Sequence, residues 1–235
     1  MNIKDKLLIC DFDGVLIDSE LIGCQIWSEM LGAVGAPVSV ESMLNDYTGK
    51  SGPQICAQIE KDYGYTLPSG FLDTVNERVE TLFETQLRAM PGAAETLKSL
   101  EMSRCIASGS RPKRLFQCLR VTGLDSLFKE SEVFSSHWVK RGKPAPDIFL
   151  YAAEKMGFPP DRCIVLEDSV AGVCAGLSAG MTVLGFVGGS HCTPFRVQSL
   201  KEAGANLLFD KFSDLPEILN RLPDATESLS SAKQR

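Results

Sequence analysis

Short, unbroken apolar runs separated by helical stretches constrain this 235-residue chain more than any other feature. The runs are Leu7-Leu8-Ile9-Cys10, Cys105-Ile106-Ala107, Cys163-Ile164-Val165-Leu166, Thr182-Val183-Leu184-Gly185-Phe186 and the weaker Asn206-Leu207-Leu208. None alternates apolar with polar residues, the pattern of a strand with one wet face. Unbroken runs suit strands buried on both faces, as in a parallel sheet. Helical stretches are expected at about 92–100, 111–121, 146–156, 170–179 and 213–221. Strand and helix alternate from residue 104 onward, so the expected class is α/β with a parallel sheet.

One stretch breaks the alternation. Between Asp18 and about Met90 no buried strand is legible. Amphipathic helices are expected there at about 19–31, with Ile22, Ile26 and Met30 on one face, and at about 40–46, 52–62 and 70–87. Pro37, Gly49, Gly52, Gly64 and Pro68 punctuate them. A helical cap of residues 18–89 is therefore inserted into an α/β core of residues 1–17 and 90–222. Hinges are expected near Asp18–Ile22 and Ala89–Gly92. The polar, Ser-rich stretch 223–235 is expected to be a disordered tail.

Composition excludes some partners. The net charge is −6, which argues against a nucleic-acid backbone as ligand, because such binders usually carry a basic face. A small anionic substrate needs only a few local cations. No apolar run approaches the roughly 20 residues of a membrane span. The eight cysteines form no Cys-x-x-Cys pair and are expected to be reduced, mostly buried thiols. No cleavable leader pattern opens the chain, and a cytoplasmic protein is expected.

Ligands of open parallel sheets bind beyond the carboxyl ends of the strands. Polar clusters fall there: Asp11-Phe12-Asp13-Gly14, Ser108-Gly109-Ser110, Lys143 in Gly142-Lys143-Pro144, and Glu167-Asp168. Carboxylates crowded on one rim disfavour each other's ionisation. A hard divalent cation such as Mg²⁺ relieves that conflict and leaves room for a substrate phosphate. One carboxylate is then free to attack phosphorus. Lys143 and the Ser108 hydroxyl would hold the transferring group.

Other features carry weaker signals. Asp18 reads as a brace for its loop and Ser19 as a helix start. Gly49-Lys50-Ser51 is not a P-loop, since position 44 is Leu rather than Gly and no strand precedes it. His137 and His191 have no ligand-spaced partner and read as structural or surface residues.

Taken in order, the clusters resemble the four motifs of the haloacid dehalogenase superfamily. Asp11-Phe12-Asp13-Gly14-Val15-Leu16-Ile17-Asp18-Ser19 is similar to the first and Ile106-Ala107-Ser108 to the second. Gly142-Lys143-Pro144-Ala145-Pro146-Asp147 is similar to the third and Leu166-Glu167-Asp168-Ser169-Val170-Ala171-Gly172 to the fourth. The insertion resembles the cap of the subgroup that holds β-phosphoglucomutase and small sugar-phosphate phosphatases. The resemblance implies a Rossmann-like core and roles for particular residues. Asp11 would attack phosphorus, and Asp13 would act as general acid and base. Ser108, the Gly109 amide and Lys143 would bind the phosphoryl group. Asp11, the Asp13 main-chain carbonyl and Asp168 would hold Mg²⁺, with Glu167 a further ligand or outer partner. Ser19, Gly49 and Lys50 are candidate substrate contacts, the last two on the cap's substrate-facing loop.

The implied activity is Mg²⁺-dependent hydrolysis of a small phosphate ester, a sugar phosphate such as 6-phosphogluconate, by a monomer or weak homo-oligomer. The alternative is a β-phosphoglucomutase-like phosphomutase. The chain departs from the mutase in having Gly23 where the mutase has His, and Thr48 and Gly52 where it has Lys and Arg on the cap loop.

Overall fold

The computed structural model describes residues 3–222, so the expected tail at 223–235 lies outside the described residues. Six parallel strands form one sheet: β1 (Leu7–Cys10), β2 (Ser103–Ser108), β3 (Val133–Ser135), β4 (Cys163–Glu167), β5 (Thr182–Phe186) and β6 (Leu207–Phe209). Their spatial order is β3-β2-β1-β4-β5-β6. β1 pairs with β2 on one side and β4 on the other, with Cys10 opposite both Ile106 and Leu166. The chain reverses its direction of winding between β1 and β4, the switch point where open sheets bind ligands.

The unbroken apolar strands are explained by what covers them. All four residues of β1 are fully buried, Leu8 and Cys10 in one apolar cluster and Leu7 and Ile9 in the other. The first cluster includes Leu97 of α5 (Ala93–Ser99), Leu115 of α6 (Pro112–Thr122) and Leu215 of α10 (Leu215–Arg221). The second includes Phe149 of α7 (Asp147–Met156), Val173 of α8 (Val170–Ser178) and Leu200 of α9 (Pro194–Glu202). Each fully buried Leu or Ile stabilises the fold by roughly 1.5–3 kcal/mol, so β1 anchors the site loop that follows it.

The cap comprises α1 (Glu20–Ala33), α2 (Val40–Ser42), α3 (Gly52–Tyr63) and α4 (Phe71–Gln86). The helix expected at 40–46 is only partly α-helical: α2 passes into a π-helical turn at Met43–Tyr47. The buried face of α1 is also rotated from expectation. Cys24, Ile26, Trp27 and Leu31 are buried, whereas Ile22 and Met30 are only partly so. Trp27 decides the face, packing against Phe71 of α4 at 5.9 Å between ring centroids. The two connections to the core run side by side. Asp18 N donates to Arg88 O at 3.1 Å and Met90 N to Leu16 O at 2.8 Å.

Two elements were not expected from the sequence. β3 contributes just two apolar residues, too few to stand out, yet it is buried and pairs with β2. In α9 only Arg196 and Leu200 are buried and Phe195 is 60% exposed, so no apolar stripe marks it. All eight cysteines are free, five of them buried. No helix among the described residues is long and apolar enough to cross a membrane.

Candidate active site

Asp11 is the first residue past β1, and its N–H donates to Leu166 O of β4 at 2.9 Å. That bond sets its carboxylate beside the end of β4. Lys143 reaches in from the loop before α7. Its Nζ lies 2.8 Å from Asp11 Oδ1, 2.5 Å from Glu167 Oε1 and 3.2 Å from the Ala107 carbonyl, above the Phe149 ring. Burial alone would lower the Lys143 ammonium, but Asp11 and Glu167 outweigh it and raise it. For Asp11, burial dominates and holds the carboxyl well above the usual carboxylate range; Lys143 opposes this, and Glu167 and Asp168 add to it.

Carboxylate oxygens of Asp11, Glu167 and Asp168 lie within 4.8 Å of one another, all three residues buried. These are hard oxygen donors at close quarters, with Lys143, His191 and Arg196 as their basic neighbours, and the donor set fits a hard divalent cation. Glycine makes the packing possible. A β-carbon on Gly14, at φ +77°, would collide with the Asp168 carboxylate, and one on Gly172 would collide with that of Glu167. Glu167 is already heavily bonded. Its Oε2 accepts from the N–H groups of Asp168 and Ser169, both at 3.0 Å, and from Ser169 Oγ at 2.9 Å.

Asp13 occupies a different environment. Its carboxylate accepts from Ser19 Oγ at 2.8 Å, Ser110 Oγ at 2.6 Å and Arg114 Nη2 at 2.7 Å. Burial opposes the charged form, yet Arg114 and the two hydroxyls outweigh it and hold Asp13 below the usual range. Ser19 precedes α1 as expected, but its hydroxyl bonds Asp13 rather than capping the helix. Asp18 is a brace: its Oδ1 accepts from Ser190 N at 3.1 Å and Ser190 Oγ at 2.8 Å.

Ser108 ends β2, is buried, and accepts from Ser110 N at 3.0 Å. Strand β3 steadies this loop, since Ser135 Oγ donates to Ser110 O at 2.7 Å and Ser136 Oγ to Gly109 O at 3.3 Å. A cavity of about 740 Å³ separates cap and core. Asp11, Asp13, Ser108, Gly109, Lys143 and Asp168 line its core side, while Ser19, Gly49 and Lys50 line it from the first connection and the cap. Glu167 lies behind it, fully buried. The cap loop comes close to the core: a β-carbon on Gly49 would sit 3.5 Å from that of Ser169. Lys50 is exposed, its Nζ 5.3 Å from the Tyr47 ring centroid.

Four contributors were missed by sequence reasoning. Arg114 lies one helical turn past Ser110, and that basic position was its only signal. His191, read as structural or surface, is fully buried with Nε2 2.7 Å from Asp168 Oδ2. Burial would lower its imidazole, but the Asp168 carboxylate prevails and raises it to about 10. Its signal was a place in the loop after β5, on the same rim as the other clusters. Arg196 is buried beside Asp168 and gave no signal at all.

Glu20, in the first turn of α1, also lines the cavity. Burial, with Asp13 and Asp168 nearby, pushes its carboxyl from 4.5 to about 7. The folded state therefore keeps this proton to higher pH than the unfolded chain, and its stability falls as pH rises between those values. In magnesium-free buffer, Glu20→Gln is expected to raise the unfolding midpoint at pH 8 by roughly a few degrees and to leave it nearly unchanged at pH 4.5. An equal gain at both pH values would contradict that assignment.

The fold and the four clusters meet in one family. The model of the haloacid dehalogenase-like hydrolases matches residues 6–180, and the chain belongs to that family as a hydrolase of the phosphatase type. It is 27% identical over 209 residues to the 6-phosphogluconate phosphatase of Escherichia coli K12, covering 88% of this chain and 91% of the relative. It is 30% identical over 195 residues to hexitol phosphatase A of the same organism, covering 76% and 82%. A crystal structure of a conserved haloacid dehalogenase-like protein from Agrobacterium tumefaciens superposes with a TM-score of 0.85 at 36% identity, covering 92% of this chain and 97% of that one.

Proposed function

We propose that this enzyme hydrolyses a small sugar phosphate, with 6-phosphogluconate the first candidate, through an aspartyl-phosphate on Asp11. The observation that carries the reading is Asp11 itself: a buried carboxylate at the sheet's switch point, clamped by Lys143 and lining the cavity between cap and core. An Asp11 oxygen forms a bond to phosphorus as the ester P–O bond breaks. Asp13 gives a proton to the departing oxygen, then takes one from the water that attacks phosphorus and frees Asp11. Lys143, the Ser108 hydroxyl and the Gly109 amide hold the phosphoryl oxygens.

Asp13 as it stands is set as a base, because Arg114 and two hydroxyls favour its carboxylate. An arriving phosphate ester brings negative charge beside it, which favours the protonated form needed for the acid step. Bound Mg²⁺, held by Asp11, Asp168 and the Asp13 main-chain carbonyl, would offset the like charges and orient the phosphoryl group. Glu167, with both oxygens engaged, acts from behind by fixing Lys143 and the backbone at Asp168.

Hydrolysis is favoured over phosphomutase chemistry by the cap. Gly23 offers no imidazole, and no atom lies within 4 Å of where its β-carbon would sit. Thr48 is turned to Met43 O at 3.3 Å and to Cys24 Sγ at 3.7 Å. Nothing at these positions shuttles a proton to a bound sugar. The test is a substrate ranking: kcat/KM across sugar phosphates, nucleotides and small acid phosphates. Sugar phosphates, 6-phosphogluconate included, are expected to lead. A nucleotide preference, or isomerisation of β-glucose 1-phosphate without phosphate release, would overturn the reading.

A further inference from the structure

One short segment bonds to the cap, to the cap's connection and to the acidic cluster at once. Ser190 holds Asp18 in the first connection. His191 holds the Asp168 carboxylate. Thr193 Oγ1 donates to Asn45 Oδ1 at 3.1 Å, in the π-helical turn of the cap. Arg196, only 7% exposed, donates from Nη1 to Leu44 O of the same turn at 3.1 Å. Its Nη2 donates to Asp168 O at 3.3 Å and lies 3.9 Å from Asp168 Oδ2. A single buried guanidinium thus spans a cap carbonyl and both ends of Asp168.

The physical consequence follows from where these bonds cross. Opening the cap would strip Leu44 O from Arg196 and Asn45 Oδ1 from Thr193. Buried donors left without partners are costly, so the bonds resist opening. Once freed from the cap, the Arg196 guanidinium keeps Asp168 as its protein partner among the described residues. Two elements biased by one set of contacts are coupled, and coupling of binding equilibria is reciprocal.

We propose that Ser190–Arg196 is a clasp, with Arg196 and His191 as positioning residues: it seats Asp168 for a divalent ion while it grips the cap, so that cap closure and ion affinity rise and fall together. This rests on the reading of Asp168 as a metal ligand. The cap side is tested at Asn45, which touches none of the acidic residues.

The probe is magnesium alone, titrated calorimetrically into the full chain without ester, alongside thermal melts of the metal-free protein. Asn45→Ala is expected to weaken magnesium binding by roughly three- to tenfold, the value of one lost hydrogen bond, and to lower the metal-free melt by no more than about a few degrees. Asn45→Asp keeps the acceptor for Thr193 and is expected to restore the affinity. Combining Asn45→Ala with His191→Ala should cost less than the product of the single losses, because either change already releases the clasp. Magnesium affinity unchanged in Asn45→Ala, or strictly multiplicative losses in the double variant, would overturn the clasp and leave the metal reading intact. Wild-type protein that binds no magnesium would overturn both.

Discussion

Asp11→Asn is expected to abolish phosphate release, by at least about 10⁴-fold in kcat, while the protein stays folded. The amide is nearly isosteric but is a poor nucleophile toward phosphorus. The fold is expected to survive because Lys143 keeps its 2.5 Å contact with Glu167, and because the change removes one of three crowded carboxylates. A thermal melt and far-ultraviolet dichroism establish folding, and a phosphate assay gives the rate. Substantial turnover in the folded variant would exclude Asp11 as the attacking group.

The second large effect is expected at Asp13. Asp13→Ala should lower kcat by roughly 10²–10⁴-fold on an alkyl phosphate, the usual contribution of a positioned acid or base. Its loss also leaves Arg114 without its carboxylate partner, so Asp13→Asn, which preserves the shape, is made beside it. The diagnostic is the leaving group. Aryl phosphates depart without needing a proton, so in both variants the penalty on kcat/KM, which reports the first transfer, should shrink with 4-nitrophenyl phosphate, while the base step still lowers kcat. An equal loss of kcat/KM on alkyl and aryl esters would exclude Asp13 as the group that protonates the leaving oxygen.

Much of the architecture was legible because it rests on local patterns. Leu7–Cys10 and Cys163–Leu166 are unbroken apolar runs, and burial on both sheet faces is the reason. The acidic cluster was legible because strand ends in a parallel sheet converge on one rim, which brings Asp11 and Asp168 together from distant parts of the chain. What escaped was set by contacts that leave no local trace. The Arg114–Asp13 pair spans 101 positions in sequence and Arg196–Leu44 spans 152. Strand β3 is defined by pairing with β2 rather than by its own three residues. The face of α1 was misjudged because Trp27 has a partner in α4 that no count of apolar spacing reveals. His191 shows the same limit: its position in the loop after β5 was visible, but its bond to Asp168 was not.

The environments of the two aspartates also depend on such distant partners. Asp11 and Asp13 are two residues apart, yet Asp11 is pushed up by burial and acidic neighbours while Asp13 is held down by Arg114 and two hydroxyls. These directions run opposite to the proposed roles, which need Asp11 ionised to attack and Asp13 protonated for the acid step; a divalent cation bound at Asp11 and the ester's charge beside Asp13 would reverse both. In this chain those environments are supplied by α6, by the loop before α7 and by the end of β4, so they are a property of the fold more than of the motif.

Metal dependence of phosphate release is the most direct test of phosphoryl transfer at this acidic cluster. Purified protein is freed of divalent ions with a chelator, then assayed for inorganic phosphate from 6-phosphogluconate and a panel of other monoesters as Mg²⁺ is added back. Release that is absent in the stripped protein and restored in a saturable way by Mg²⁺ is the expected result. Release indifferent to the chelator, or none from any ester at any Mg²⁺ concentration, would contradict it.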